Sequence, residues 1–385
     1  MLTDVMIEGL RGVGRVELHF APGQRVYTLF GANGVGKTKC LEAIYQFLLA
    51  SNKSFAQNYW AKHRGDAPVS RDVAVMARMS DASSGMQLEV SEHKDLFTLK
   101  EIWKSNASLH NVPVVFIGAG RRASLASEDV TIADVVGTFV DRQLAYFNDL
   151  FDAFDKGQLS SLGMIGSTRT WFRTRALSAN SFQESKDNRE VEIYAVLSML
   201  HEVDERIDPK FLKTDGRGRV FLKVDGEKRE LGELSSGFAS LVKIMQAIVA
   251  GYAAFTNEVQ LQNVRGIVLI DEIDAHLHPE WQARIIPCLK TLLPNTIFYI
   301  ATHSPLVLTQ LKDGEAYLLK RDTDEVVRSQ TIVGANRRSL VDVLERAFGV
   351  DCNELKFQAM ALDPEQNQKA KQGLLSLLNE VEHQA

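Results

Sequence analysis

Eight consecutive residues, Gly31-Ala32-Asn33-Gly34-Val35-Gly36-Lys37-Thr38, have the types and spacing to hold a polyphosphate. They fill every fixed position of Gly-x-x-x-x-Gly-Lys-Ser/Thr, with the apolar run Val26-Tyr27-Thr28-Leu29-Phe30 before them and a helical pattern from Cys40 to Leu49 after them. Wrapping a phosphate needs backbone N–H groups that no Cβ obstructs, which Gly31, Gly34 and Gly36 supply, with Asn33 and Val35 between them and a helix N-terminus behind. Lys37 would neutralise β- and γ-phosphate oxygens, and the Thr38 hydroxyl would ligate Mg²⁺. A second set of polar residues stands far along the chain. The all-apolar run Gly266-Ile267-Val268-Leu269-Ile270 delivers Asp271-Glu272 at its end, where Asp271 can hold the Mg²⁺ shell through water and Glu272 can orient or deprotonate an attacking water. Another apolar run, Ile297 to Ala301, ends at Thr302-His303-Ser304-Pro305, and His303 could there touch a γ-phosphate.

Those residues must be carried by strands that end at one sheet edge, so the reading is α/β. Residues 2–30 pattern as two or three strands around the turn Gly12-Val13-Gly14. Strand-like pieces at Asp72 to Met79, Met86 to Val90 and Leu96 to Trp103 predict an antiparallel subdomain beside the nucleotide site. Val114 to Ile117 is a short buried-type strand ending in Gly118-Ala119-Gly120-Arg121-Arg122. Those two arginines could reach nucleotide phosphates or form a solvated turn. Residues 125–215 are helix-rich, with periodic segments at Ile132 to Phe154 and Glu190 to Val203, and look like an insertion. Within it, Arg169, Trp171, Phe172, Arg173 and Arg175 fit either a nucleic-acid patch or the solvated basic face of an amphipathic helix. Val220 to Val224 and Glu227 to Leu231 read as a hairpin around Asp225-Gly226. Leu234-Ser235-Ser236-Gly237-Phe238 then opens an apolar-periodic helix, whose N-terminal amides a capping Ser235 or Ser236 leaves free for an anion.

Composition narrows the function classes. The 385 residues are 45% hydrophobic and 24% charged, enough for a large core. No apolar run is expected to approach the roughly 20 residues of a membrane span, and Met1-Leu2-Thr3-Asp4 has no basic lead into an apolar stretch, so the expected compartment is the cytoplasm. Cys40, Cys288 and Cys352 lie scattered in apolar-periodic segments and read as buried free thiols. A net charge of -5 gives no global pull towards nucleic acid, so any DNA contact needs a local patch.

Phosphate loop, Leu-Ser-Ser-Gly, Asp-Glu strand and strand-end histidine follow one another in an order that resembles the ABC-type ATPases of the SMC, RecF and OLD group. The run Ile270-Asp271-Glu272-Ile273-Asp274-Ala275-His276-Leu277-His278-Pro279, with Ala301-Thr302-His303-Ser304-Pro305, is most similar to stand-alone RecF/OLD-like ATPases, many of which serve DNA repair or defence against phages. The likeness covers residues 1–50 and 230–320. It implies a P-loop ABC-type ATPase head, with an antiparallel β subdomain and a helical insertion, using ATP and Mg²⁺. By position, Gly34, Gly36, Lys37 and Thr38 would bind phosphate and metal. Asp271 and Glu272 would do the metal and water work, His303 would be the switch, and Ser236 with Gly237 would face the nucleotide of a second subunit.

Three positions depart from that pattern. Leu-Ser-Ser-Gly-Phe replaces Leu-Ser-Gly-Gly-Gln, His278 stands where the dimer-facing loop often has Asp, and no glutamine follows the strand ending near Gly118. OLD nucleases also carry a C-terminal Asp-x-Asp metal site; here Asp322-Thr323-Asp324 reads instead as a hairpin turn. The expected domains are 1–124 and 216–330 for the two parts of the ATPase, 125–215 for the insertion and 331–385 for a helical tail. The expected function is an ATP-driven dimer acting on DNA or on a partner effector, such as a nuclease. A transporter-energising subunit is the alternative, disfavoured because residues 39–233 separate phosphate loop from Leu-Ser motif. A binding scaffold with a dead ATPase is disfavoured because Lys37 and Glu272 are both present.

Overall fold

The computed structural model describes residues 2–63, 74–80, 87–88, 110–120, 122, 125, 136–156, 158–163, 167–351, 354 and 357. The chain divides into two compact units, Met1–Arg337 and Arg338–Ala385.

In the first unit, β1 (Leu2–Leu10) and β2 (Gly14–His19) form a hairpin, and β3 (Val26–Phe30), fully buried, runs into the phosphate loop and α1 (Lys37–Ala50). After α2 (Lys53–His63) come β4 (Ala74–Ser80), β5 (Gln87–Leu88) and β6 (Val114–Ile117). The expected strand Leu96 to Trp103 lies outside the described residues. Three helices follow, α3 (Phe139–Asp155), α4 (Thr168–Ser178) and α5 (Glu190–Val203); Thr138 and Ser167 cap the first two. A meander of β7 (Ile207–Thr214), β8 (Val220–Val224) and β9 (Glu227–Glu230) makes a separate three-stranded sheet. Its first strand was not anticipated, because Ile207–Thr214 alternates poorly between apolar and polar and is half-buried or exposed everywhere after Ile207.

The remaining elements are α6 (Ser236–Phe255), β10 (Gly266–Ile270), α7 (Pro279–Gln282), α8 (Ile285–Leu292), β11 (Thr296–Ala301), α9 (Pro305–Leu308), β12 (Ala316–Arg321) and β13 (Val327–Thr331). In the second unit, α10 (Leu340–Phe348) begins at a Ser339/Asp342 capping box and stops at left-handed Gly349.

The main sheet has the order β5-β4-β1-β2-β13-β12-β3-β11-β10-β6. Its centre, β12-β3-β11-β10-β6, is parallel throughout, and β3, β6 and β10 carry apolar residues on both faces because helices cover both. On one face Tyr27, Tyr299, Tyr317 and Phe20 pack with centroids 5.0 to 6.1 Å apart, Tyr27 and Tyr299 stacked and Phe20 edge-on to Tyr317. Each tyrosine hydroxyl is bonded: Tyr27 donates to the Ala21 carbonyl (3.1 Å), Tyr317 to the Gly314 carbonyl (2.6 Å), and Tyr299 accepts from the Leu2 N–H (3.2 Å). Helix α6 corrects one expectation. It is long and apolar enough to span a membrane by composition, yet it is buried on nearly all sides in the core.

His110 ties the approach to β6 to the end of α1. Its Nδ1 accepts from the Val112 N–H at 3.2 Å, so its Nε2–H donates to the Leu48 carbonyl at 2.9 Å, and this geometry needs the neutral ring. Burial pulls the imidazole from its ordinary 6.5 down to about 4. The folded state therefore refuses a proton that the unfolded chain accepts. The stabilisation is complete above pH 6.5 and is lost as pH falls towards 4. Between pH 7.5 and 5 the apo protein should lose about 2 kcal/mol from this residue alone, and His110→Gln should remove most of that loss. Urea midpoints at the two pH values check it; an equal pH response in the variant would contradict the assignment.

Candidate functional site

Because β3, β11 and β10 are parallel neighbours, Gly31, Thr302 and Asp271 leave the sheet at one edge. The loop after β3 is held tightly. A Cβ on Gly31 would lie 2.6 Å from the Leu319 carbonyl oxygen, and one on Gly36 would lie 2.7 Å from Val13 Cγ2; both glycines have positive φ, 145° and 106°. Lys37, 6% exposed, donates from Nζ to the carbonyls of Gly31 (2.9 Å) and Ala32 (3.0 Å). Burial lowers its pKa while Asp271, Glu272 and Asp274 act in the other direction. Thr38 Oγ1 stands 3.0 Å from both carboxylate oxygens of Asp271. Burial pushes the Asp271 carboxyl up to about 6; the Thr38 hydrogen bond and Arg122 oppose the shift, and Glu272 adds to it.

The chain after β10 turns sharply. The Asp271 N–H bonds the Ile117 carbonyl (2.9 Å), the Ile273 N–H bonds the Ala301 carbonyl (3.1 Å), and Glu272 between them takes φ 45°. Asp274 accepts from Thr302 Oγ1 (2.5 Å) and from the His303 N–H (3.2 Å), which fixes the backbone of the histidine. The His303 imidazole pKa is lowered, first by burial and then by Lys37. Ser304 Oγ donates to Gln282 Oε1 (2.7 Å), so the histidine loop is tied on both sides. Asp274 was not singled out in the sequence as a site residue, although its spacing of three from Asp271 is the signal that could have found it.

Arg122 differs from expectation. It is fully buried, and its terminal nitrogens donate to the carbonyls of Ile117 (3.1 Å), Asp271 (2.5 Å) and Glu272 (2.7 Å), so it neither lies in a solvated turn nor reaches towards a phosphate. Arg121 lies outside the described residues. The basic and aromatic cluster of α4 also turns inward. Arg169 pairs with Glu230 (3.2 Å), Arg175 with the buried Glu192 (3.0 Å) and over the ring of Trp171 (4.6 Å), Arg173 packs against Gly218, and Trp171 and Phe172 are core residues. This corrects both readings, nucleic-acid patch and solvated basic face. Asp322 and Asp324 sit in the β12–β13 turn, each bonded to Arg328 at 2.8 Å.

Ser235 caps α6 by accepting from the Phe238 N–H (3.3 Å), and Gly237 packs against the His276 carbonyl and Trp281. Ser236 is exposed, and among the described residues no hydrogen bond joins Ser236 or Gly237 to the phosphate loop. His278 caps α7 through Nδ1, which accepts from the Glu280 N–H (3.4 Å). Among the described residues there is no cluster of three His, Cys, Asp or Glu side chains able to hold a metal by itself. The hard oxygens of Thr38 and Asp271 could hold Mg²⁺ together with water and substrate phosphate oxygens, as that ion prefers.

Residues 129–309 match the family described as "AAA domain, putative AbiEii toxin, Type IV TA system". The Septu protein PtuA of Bacillus thuringiensis is 24% identical over 359 residues, 91% of this chain and 85% of that protein. A second Septu protein PtuA, from Bacillus mycoides, is 32% identical over 40% of this chain and 22% of its own length. The "Retron Vc95 probable ATPase" of Vibrio cholerae is 41% identical over 25% of this chain and 19% of its own length. Among solved structures, the SMC head domain from Thermotoga maritima aligns over 86% of this chain and 98% of its own, at 12% identity and a TM-score of 0.44. The sequence likenesses fall on a chain whose parallel strand order and phosphate-loop geometry already suit nucleotide hydrolysis, and they mark it as an ATPase that is similar to that AAA domain family over residues 129–309 and to a Septu PtuA along most of its length.

Proposed function

We propose that ATP closes two copies of this chain over two nucleotides, that hydrolysis reopens them, and that the motion controls DNA or a partner effector in antiviral defence. The observation that carries this reading is the meeting of Thr38 and Asp271 at 3.0 Å beside Lys37, at one edge of a parallel sheet. The nearly full-length likeness to a Septu protein, with a shorter one to a retron ATPase, favours defence over DNA repair or transport.

In this reading Lys37 exchanges its two carbonyl partners for β- and γ-phosphate oxygens, which are stronger acceptors for an ammonium. Mg²⁺, when bound, supplies charge neutralisation on the phosphates, and Thr38 and Asp271 are the residues that would hold it. Glu272 orients and deprotonates the attacking water. His303, whose neutral form burial favours, donates a hydrogen bond to the γ-phosphate. Ser236 and Gly237 open a helix with no acidic residue in its first turn and with Ser236 exposed, which suits them to a nucleotide held by another copy.

Two outcomes are expected. Lys37→Ala should weaken ATP binding on the order of 30-fold or more, the worth of one charge-assisted contact of about 2 kcal/mol. An unchanged affinity in calorimetric titration would remove the central assignment. Glu272→Gln keeps size and hydrogen bonding but loses the base, so turnover should fall at least about 100-fold while ATP still binds. With ATP and Mg²⁺ that variant should double its mass by light scattering, since a ligand that binds only the closed state accumulates it. Adding Ser236→Arg should restore the single-copy mass; assembly that ignores either ATP or this second change would sink the sandwich.

A further inference from the structure

A fully buried arginine with no carboxylate in direct contact among the described residues needs an explanation, because desolvating a guanidinium costs several kcal/mol unless its surroundings compensate. Arg122 is 0% exposed, and among the described residues its Nε has no partner. What its two terminal nitrogens hold is specific. One donates to the carbonyl of Asp271 (2.5 Å) and to that of Ile117 (3.1 Å), the other to the carbonyl of Glu272 (2.7 Å). The Asp271 carbonyl belongs to the peptide before the Glu272 Cα and the Glu272 carbonyl to the peptide after it. The planar fork therefore grips both peptide planes that flank one Cα, and these planes fix the direction in which its Cβ leaves the chain. The gripped residue is also the strained one. Glu272 has φ 45°, a left-handed conformation that costs a residue with a Cβ on the order of 1–2 kcal/mol and persists only where the surroundings impose it.

The fork is itself hung from a second element. Gly118 N–H donates to the Leu162 carbonyl (2.9 Å) and Gly120 N–H to the Ser160 carbonyl (3.0 Å), so the strap Gly118–Gly120 after β6 lies on the turn that follows α3. The approach is too close for a side chain: a Cβ on Gly118 would stand 2.0 Å from the Ser160 oxygen. Hydrogen bonds thus join residues 158–163 to Gly118 and Gly120, and join Arg122 both to Ile117, the chain neighbour of Gly118, and to the backbone on either side of Glu272 Cα.

We propose that Arg122 is a positioning residue for Glu272, aiming its carboxylate at the water site, and that the strap on Ser160 and Leu162 makes this aim depend on the seat of the helical segment before it. The proposal rests on the reading of Glu272 as the water-directing carboxylate. Arg122 touches neither nucleotide nor water in this scheme, so its loss should slow hydrolysis and spare ATP affinity.

The test is a double-mutant cycle on the full chain, reading single-turnover ATP hydrolysis, ATP Kd by calorimetry and melting temperature. Arg122→Gln should lower the hydrolysis rate by about 10- to 100-fold with Kd within about 3-fold, and Arg122→Lys, which keeps the charge but not the fork, should fall between it and the wild type. In a Glu272→Gln background Arg122→Gln should cost almost nothing more, because two residues acting through one carboxylate are not additive. Gly118→Ala, which leaves Arg122 in place and displaces its strap, should reproduce the slow rate with intact Kd. It also carries the test should Arg122→Gln fail to fold. Additive losses in the cycle, a Kd that weakens in step with the rate, or a wild-type rate in Gly118→Ala would overturn the proposal. A Glu272→Gln variant that hydrolyses ATP normally would instead overturn the reading beneath it, so the two failures are told apart.

Discussion

Everything at the candidate site depends on one constraint, that neighbouring parallel strands must end at the same edge of their sheet. In β12-β3-β11-β10-β6 each strand is bonded in parallel register to the next, so the residues after Phe30, Ala301, Ile270 and Ile117 meet although they come from distant parts of the chain. Thr38 reaches Asp271 across 233 positions of sequence only because β3 and β10 flank β11. Parallel strands also bury both faces, which removes water from the carboxylate that follows them. Hence burial raises the Asp271 carboxyl to about 6, and the same burial lowers the Lys37 ammonium. In the proposed reading a polyphosphate with its metal would supply the opposite charge to each group and so match both.

In the helical segment several charges turn inward. Glu192, 0% exposed, receives Arg175 and Arg189, while Arg189 and Arg142 share the Asn257 side-chain oxygen. These contacts join α3, α4 and α5 to the residues after α6. Removing one partner from such a buried set costs about 3–5 kcal/mol, more than a surface pair contributes. The physical consequence is that these arginines organise the helical segment instead of offering a basic face, in keeping with a net charge of -5. Any nucleic acid engaged by this protein must find its electrostatic footing elsewhere than on α4.

Much of the site was legible in the sequence because its chemistry is local. The phosphate loop needs its glycines, lysine and threonine within eight residues. The carboxylate strand announces itself as five apolar residues before Asp271-Glu272, and the capped helix at Ser235 follows from a serine ahead of a periodic apolar run. The parallel core and its α/β class follow from the same fully apolar runs. What could not be read was anything set by how distant surfaces meet. Arg169 and Arg175 at helical spacing look alike whether they face water or turn inward to a carboxylate, since Glu230 and Glu192 lie on other elements. Arg122 resembled a residue of a solvated loop until the strap on Ser160 carried it beneath the carboxylate turn. Strand β7 was hidden because half-buried strands show no clean alternation, and α6 has a membrane-like composition only because the sheet and helices surround it.

The sequence by itself therefore determined which groups could do chemistry on a phosphate and which strands would present them, because those demands act within a few residues along the chain. Tertiary structure alone decided the partners: that Thr38 faces Asp271, that Asp274 anchors the histidine loop through Thr302, and that one buried arginine grips both peptides around Glu272. The physical reason is that a hydrogen bond or ion pair between distant segments depends on strand order and helix seating, and no residue type or spacing encodes these locally.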